Sequence, residues 1–329
     1  CEKKRVNKRK TKIIMGGNKM EKIKILLDTD IGQDIDDALT LSYLLCNPRC
    51  ELMGITTVSG VVDERAQMAS AICRSVGRDD IPIYPGFNEC IFVEPRLVSV
   101  PQIGMVSNWS HRTEFPKNQA LQFMQRTIRE NPGEIVLLGI GPMGNIGRLF
   151  LFDPELPRLL KGIYLMCGRF RAFDFQGWLQ KHGCEEDGSP TTGGAREWNA
   201  LYDFYATKAV YDGQSPIHRS VGLDITSQVM MKPDEFQKSL TKKVPGPVLD
   251  IADIWFRDKN IITFHDPLAT TTIFNDSICN FRRGNVSVEL TTERLCGYTY
   301  FDPDKNGNHE VAWEVNPQAF FDEYFSVFR

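Results

Sequence analysis

The feature that most constrains the fold is a short, mostly apolar segment that runs directly into a cluster of acidic residues. Residues 23–27 have the length and branched apolar content of a strand buried on both faces, and residues 38–45 have the pattern of a helix. Five carboxylates within ten residues stand between them. Since parallel α/β sheets gather their ligands at the carboxyl ends of the strands, this junction is a candidate site.

The acidic cluster predicts a bound metal ion. Carboxylates this close repel one another, and burying them is costly unless a cation neutralises them. Because no cysteine or histidine accompanies the acids, a set of oxygen ligands favours Ca²⁺ or Mg²⁺ over zinc. Two alternatives use the same residues: a solvated acidic turn that caps a helix, and the Asp-x-Asp strand end of Mg²⁺-dependent phosphatases. Gly32 between the acids favours a bend that a Cβ atom would hinder.

Composition restricts the class of protein. The chain has 329 residues, 42% hydrophobic and 25% charged, with a formal charge of -3, which is typical of a soluble globular protein without bulk affinity for nucleic acid. Its apolar runs fall short of the roughly 20 residues of a membrane helix, so we expect no membrane insertion. The nine cysteines lack the spacing of a disulfide framework or zinc site, which predicts reduced thiols in a cytoplasmic protein.

The pattern along the chain predicts one domain behind a basic tail. Residues 1–20 are rich in lysine and arginine and lack an apolar face, so we expect a disordered tail. The role of that tail and of Cys1 stays open. Residues 21–329 alternate strand and helix patterns without a repeat or linker. We therefore expect a single α/β domain whose mainly parallel sheet is flanked by helices.

Four further segments affect the interpretation. Residues 139–144 match a dinucleotide-binding glycine pattern, but no acid follows about 20 residues on, so we interpret them as a tight turn beside Asp30. The long aromatic segment 168–196 fits a lid over a pocket or an oligomer contact. Residues 265–267, His-Asp-Pro, place an imidazole beside a carboxylate at a possible helix start. Residues 302–307 begin like a calcium loop but lack its closing acid, which predicts a hairpin turn.

Together these motifs resemble the inosine-uridine preferring nucleoside hydrolase family. The resemblance rests on the acidic turn, a Gly-Pro-Met-Gly-Asn-Ile turn after a mid-chain strand, Glu197-Trp198-Asn199, and His-Asp-Pro, in the family's order and approximate spacing. It extends from about Ile23 to the end of the chain. The resemblance implies a single α/β domain, assembly as homodimers or homotetramers, and a tightly held Ca²⁺. The implied activity is hydrolysis of the N-glycosidic bond of ribonucleosides, as in purine and pyrimidine salvage.

The resemblance also implies roles for individual residues. The metal ligands would be Asp30, Asp37, Asp266 and the backbone carbonyl of Ile140. The catalytic groups would be Asp30, as general base toward the attacking water, and His265, which would protonate the departing base. The residues that hold the ribose hydroxyls would be Asp36, Glu197 and Asn199. Such side chains suit glycosidic cleavage, which needs a carboxylate field, an activated water and a proton donor for the leaving group.

Three departures from the family pattern leave parts of this assignment open. The first turn is two residues longer than the plainest form of the motif, so Asp34 competes with Asp36 and Asp37. A ribose-binding asparagine after the second strand is replaced by Val61, and another is replaced by Thr191. Because the second and third departures concern ribose contacts, the base and sugar of the substrate stay open.

Two other functions use the same residues. The replaced asparagines are compatible with a non-catalytic protein that binds a metal and a ribosyl ligand. A Mg²⁺-dependent phosphohydrolase would use Asp28 and Asp30 as a nucleophile pair, with Asp79 and Asp80 as the downstream acids. That hypothesis leaves the His-Asp-Pro motif without a role.

Overall fold

The structure of the chain is a computed structural model that describes residues 22–94, 98–171, 196–239 and 243–329. Its strands are β1 (Ile23–Thr29), β2 (Cys50–Thr57), β3 (Ile83–Pro85), β4 (Ile135–Gly139), β5 (Gly162–Met166), β6 (His218–Val221), β7 (Met230–Met231), β8 (Ile262–Thr263), β9 (Cys279–Val288), β10 (Thr299–Pro303) and β11 (His309–Val315). Its α-helices are α1 (Asp36–Cys46), α2 (Val62–Ser75), α3 (Ala120–Glu130), α4 (Gly144–Phe152), α5 (Trp198–Tyr202), α6 (Phe204–Asp212), α7 (Leu223–Thr226), α8 (Pro233–Ser239), α9 (Gly246–Trp255), α10 (His265–Thr271) and α11 (Pro317–Ser326).

Nine strands form one sheet in the order β10-β9-β11-β6-β5-β4-β1-β2-β3. Seven of them, from β3 across to β11, pair in parallel, and β9 runs antiparallel to both of its neighbours. The prediction of a single α/β domain with a mainly parallel sheet is confirmed. Parallel strands need covered faces, and helices supply that cover on both sides.

Strand β1 is buried on both faces of the sheet, as its sequence predicts. Ile25 and Leu27 belong to one hydrophobic cluster and Leu26 to the other, because successive side chains of a strand point to opposite faces. All three side chains are fully buried. The acidic turn therefore leaves from the centre of the sheet.

The strand order places a crevice at the end of β1. The chain builds β1, β2 and β3 outward in one direction and then continues with β4 on the other side of β1. In such sheets the crevice for a ligand lies where the order reverses, outside the carboxyl ends of the strands. Here that point lies between β1 and β4, which carry the acidic turn and the turn at residues 139–144.

Of two further sequence predictions, one is wrong and the other falls mostly outside the described residues. The segment at residues 302–307 does not close a hairpin, because β10 and β11 lie on opposite sides of β9 instead of pairing with each other. Most of the predicted lid or oligomer contact falls on residues 172–195, outside the described residues. Within the ranges that the structure describes, none of the helices combines the length and apolar character required to cross a membrane.

Candidate metal centre and active site

The acidic turn begins inside β1 and ends in the first turn of α1. Asp28 lies within the strand and is fully buried, while Asp36 and Asp37 are the first residues of the helix. The positive end of the helix dipole favours carboxylates at that position. Gly32 makes the bend between them with φ of 118°, and a Cβ there would lie 2.4 Å from Cγ1 of Val100. The turn therefore requires glycine at this position.

Three carboxylates from two distant segments meet in the crevice. Asp36, Asp37 and Asp266 offer oxygen atoms that all lie within 4.8 Å of one another, and each residue is buried. Asp266 comes from the first turn of α10, and its backbone N–H donates a 3.2 Å hydrogen bond to Oδ2 of Asp36. The structure thus brings together the two motifs that the sequence singles out.

The electrostatics of this cluster favour a bound cation. Burial, followed by repulsion from the neighbouring carboxylates, holds the pKa of Asp36, Asp37 and Asp266 well above the usual range. The Thr29 hydroxyl donates a short hydrogen bond to Oδ1 of Asp37, which favours the charged form. Buried oxygen donors that repel one another fit a hard divalent cation such as Ca²⁺ or Mg²⁺.

Asp30 lies beside the three-carboxylate cluster but is not one of its members. Its side chain is buried, and burial raises its pKa. A Cβ on Gly141 would lie 2.9 Å from both the amide nitrogen and Oδ1 of Asp30. The turn after β4 therefore packs directly against Asp30, as the sequence predicts. Asp34 is half-buried and near enough to raise the pKa of Asp36.

Of the three residues predicted to bind ribose, Asp36 belongs to the carboxylate cluster, and Glu197 and Asn199 lie at the start of α5. The Asn199 side chain donates hydrogen bonds of 2.8 Å to the carbonyl of Ile140 and 3.0 Å to that of Met166. Glu197 caps α5 and accepts hydrogen bonds from the backbone N–H groups of Gly168, Asn199 and Ala200. Burial raises the pKa of Glu197 to about 7, and the charge of Asp30 contributes to that rise.

His265 precedes Asp266 at the start of α10. Its Nδ1 lies 2.6 Å from the hydroxyl of Thr226 in α7, and its side chain is half-buried. This contact fixes the plane of the imidazole and engages Nδ1.

Two contributors to the site are absent from the sequence prediction. Asn145 donates to Oδ1 of Asp28 at 2.7 Å and to the Thr57 carbonyl at 3.0 Å, while its own Oδ1 accepts from the Phe87 amide. Its place in the Gly-Pro-Met-Gly-Asn-Ile turn was a usable signal. Arg65 is fully buried beside the acidic turn, where its charge lowers the pKa of Asp30.

Of the two positions where the family's asparagine is replaced, the structure describes only one. Val61 lies immediately before α2 and is 39% exposed, and a valine side chain offers no polar atom to a sugar. Thr191 lies outside the described residues. The structure therefore describes one of these two departures.

The acid pair required by a phosphohydrolase lies on the surface. Asp79 pairs with Arg74 and Arg112, and Asp80 pairs with Arg78. Hydrogen bonds from these arginines lower the pKa of both carboxyls. Both acids are thus engaged in surface ion pairs, and the phosphohydrolase hypothesis loses its downstream acids.

Comparison with known proteins agrees with the family resemblance of the sequence motifs. The sequence signature described as inosine-uridine preferring nucleoside hydrolase matches residues 25–322. A probable uridine nucleosidase 1 from Oryza sativa subsp. japonica is 26% identical, with 91% of each chain covered. An uncharacterized protein from Schizosaccharomyces pombe is 28% identical over 85% of this chain and 89% of its own.

Solved structures show the same fold. A purine-preferring ribonucleoside hydrolase from Gardnerella vaginalis superposes with a TM-score of 0.77 at 21% identity, covering 93% of this chain and 98% of its own. A plant nucleoside hydrolase superposes with a TM-score of 0.74, also at 21% identity and with the same coverage.

Proposed function

Because the chain belongs to the inosine-uridine preferring nucleoside hydrolase family, we propose that it is a Ca²⁺-dependent enzyme that hydrolyses the N-glycosidic bond of ribonucleosides to free base and ribose. The observation that carries this proposal is the meeting of Asp36, Asp37 and Asp266 in one buried cluster. Sugar hydroxyls and water are oxygen ligands for the same kind of ion that this cluster suits.

Family resemblance and the cluster agree on two of the metal ligands. Asp37 and Asp266 belong to both sets, and we assign Asp30 and the carbonyl of Ile140 as the other protein ligands. Asp36 then holds a ribose hydroxyl, together with Glu197 and Asn199. When bound, Ca²⁺ would orient the sugar and lower the pKa of a water molecule. The crowding of Asp36 against Asp37 and Asp266 supports the alternative in which Asp36 is itself a ligand.

The chain's own residues supply the remaining chemistry. Asp30 accepts a proton from the attacking water as the general base. The surrounding carboxylates stabilise the positive charge that develops on the ribosyl ring as the C1′–N bond breaks and the C1′–O bond forms. His265 donates a proton to the nitrogen of the departing base. The balance is one nucleoside and one water giving one base and one ribose.

Uridine is the first substrate to test. Relatives named as uridine nucleosidases from Oryza sativa and Arabidopsis thaliana match about 90% of this chain. We therefore propose a pyrimidine ribonucleoside as substrate, with uridine ahead of purine ribonucleosides.

A hydrolysis screen tests the proposed function. Purified protein, stripped with a chelator and reloaded with Ca²⁺ or Mg²⁺, is supplied with uridine, cytidine, inosine, adenosine and modified ribonucleosides, and free ribose is measured. We expect release of ribose with Ca²⁺ and its loss after chelation. A Ca²⁺-loaded sample that bound ribonucleosides without releasing base would contradict the proposal and support the non-catalytic alternative.

We also propose a homodimer or homotetramer in the cytoplasm. Phe92, Leu151 and Phe152 expose large apolar side chains, which supports contact between subunits. The seven cysteines among the described residues form no disulfide with one another, as is usual in a reducing compartment. Sedimentation equilibrium of the purified protein and fractionation of the source cells test these two statements.

A further inference from the structure

Arg65 occupies a position where the helix pattern calls for an apolar residue. It lies on α2 with Met68, Ala69 and Ile72, which form the buried face of that helix. Its side chain is the largest fully buried one among the described residues. A guanidinium in such a place is costly unless other groups satisfy its hydrogen bonds and offset its charge.

Two hydrogen bonds from Arg65 join the turns that follow β1 and β2. Nη1 donates to the carbonyl of Ile31 at 3.0 Å, and Nε donates to the carbonyl of Ser59 at 2.8 Å. Ser59 has φ of 74°, a left-handed conformation that residues other than glycine rarely adopt. Arg65 therefore holds a strained turn against the turn that carries Asp30.

The third nitrogen of Arg65 has no direct partner in the part of the chain that the structure describes. Nη2 is buried without a hydrogen bond to any described residue. The charge of Arg65 instead reaches the acids at longer range, because it lowers the pKa of both Asp30 and Asp37. Hydrogen bonds connect the groups: the Ile31 amide donates to the Thr29 hydroxyl at 3.2 Å, and that hydroxyl donates to Asp37.

We propose that Arg65 is a positioning residue and a resident counter-charge: it joins the two turns and offsets part of the charge of the acidic cluster when no metal is bound. A buried cation and a buried group of carboxylates are each costly alone, and each lowers the cost of the other. This inference rests on the metal site of the proposed function. Arg65 cannot itself be a metal ligand, since a guanidinium offers no oxygen and carries a positive charge.

The proposal has a consequence for metal binding. A resident cation and a divalent ion oppose each other in the same pocket. Arg65 must therefore stabilise the metal-free protein more than the metal-loaded protein. By linkage, the same difference appears as tighter Ca²⁺ binding when the charge of Arg65 is removed.

Thermal unfolding of the full chain with and without Ca²⁺ tests this consequence. For Arg65→Met, which removes the charge and keeps much of the volume, we expect the melting temperature of the metal-free form to fall by roughly 5 °C or more. Saturating Ca²⁺ should recover at least half of that loss, and calorimetric titration should show Ca²⁺ binding about 5-fold tighter or more. Arg65→Lys keeps the charge, so its Ca²⁺-induced shift should match that of the wild type.

Two controls separate charge from structure. Arg74→Met removes a cation from the same helix at a surface ion pair with Asp79, and the Ca²⁺-induced shift should not change. Asp37→Asn keeps an oxygen that can accept from Thr29 and removes one negative charge. Added to Arg65→Met, it should raise the melting temperature of the metal-free form above that of the single variant.

Two results would contradict the proposed role of Arg65. Equal destabilisation of Arg65→Met with and without Ca²⁺, together with no recovery from Asp37→Asn, would reduce Arg65 to a structural tie and overturn the proposal. If Arg65→Met does not fold, recovery of folded protein in the double variant supports the proposal, and its absence overturns it. The melting temperatures of the metal-free variants test the role of Arg65 even if no nucleoside is hydrolysed. Failure of the proposed function can therefore be distinguished from failure of this inference.

Discussion

The backbone N–H of Asp266 donates a hydrogen bond to the carboxylate of Asp36, across 230 positions of sequence. This contact joins the first turn of α10 to the first turn of α1 and places Asp266 against both acids at the end of the acidic turn. A charged acceptor makes such a bond stronger than one between neutral groups. The geometry of the candidate metal centre therefore depends on a backbone contact as well as on its side chains.

Asp30→Asn and Asp36→Asn should change different kinetic constants. Loss of a general base should lower kcat of Asp30→Asn by roughly 10²- to 10⁴-fold. If Asp36 binds ribose, Asp36→Asn should chiefly raise KM and leave the affinity for Ca²⁺ within a few-fold of the wild type. Steady-state kinetics and calorimetric Ca²⁺ titration measure both effects. Asp63→Asn, at an exposed acid in α2, is the matched control. A large loss of Ca²⁺ affinity in Asp36→Asn would make Asp36 a ligand.

His265→Ala should affect substrates according to their leaving groups. A base that must be protonated as it departs should be released roughly 10²- to 10⁴-fold more slowly. A riboside of p-nitrophenol, which leaves as a stable anion, should retain most of its rate. His111→Ala is the control, because His111 contacts the carbonyl of Trp109 and none of the assigned site residues. Equal losses on both substrates would remove His265 from the role of proton donor.

Gly141→Ala should impair the site through a steric effect. The added methyl group would lie 2.9 Å from Oδ1 and from the amide nitrogen of Asp30, closer than real contacts allow. We expect kcat/KM to fall about 10-fold or more, since small misplacements at a reacting centre are costly. Gly104→Ala, where nothing lies within 4 Å, is the control and should be neutral. Circular dichroism checks that both variants fold.

The metal-free protein should lose stability as the pH rises. Burial raises the pKa of Glu197 from 4.5 to about 7, so the folded state binds this proton more tightly than the unfolded state. The contribution is therefore fully present below about pH 4.5 and is lost as the pH rises through about 7, with an upper size of roughly 3 kcal/mol. Thermal melts of chelated protein between pH 4.5 and 8.5 measure this slope.

Glu197→Gln separates this titration from other groups. Glutamine cannot ionise, so the variant should show a shallower fall of melting temperature with pH. Its melting temperature should also be lower overall, because an amide nitrogen cannot accept the backbone hydrogen bonds that the carboxylate accepts. An unchanged slope would assign the pH dependence to other buried acids such as Asp28, whose pKa burial raises to about 7.

The core of the fold was predictable because it follows from local pattern. The apolar run before the acids predicted β1, and the periodicity after them predicted α1. The observed strand is longer than predicted and includes Asp28. A buried acid normally argues against a strand, but here Thr56 and Asn145 donate hydrogen bonds to it at 2.5 and 2.7 Å. Those donors lie far away in sequence, so pattern alone could not supply them.

The parts that the sequence did not predict depend on tertiary contacts. The arrangement of β9 between β10 and β11 depends on pairing across the sheet edge, whereas the turn residues at 302–307 suit a hairpin equally well. Likewise, a buried Arg65 would destabilise the helix face if the carbonyls of Ile31 and Ser59 did not accept its hydrogen bonds. The roles of the predicted site residues follow from the family resemblance, and the proposed variants test them.

The long separation between the two acid-bearing segments has a consequence for biosynthesis. Residues 28–37 leave the ribosome well before Asp266 is made, and β1 pairs with β2 and β4, which also precede it. Domains in which distant segments must meet form such contacts late. The nascent chain can therefore assemble the middle of its sheet while the carboxylate cluster still lacks its third member, Asp266. A polypeptide stalled before residue 266 should retain that partial sheet and be unable to capture Ca²⁺.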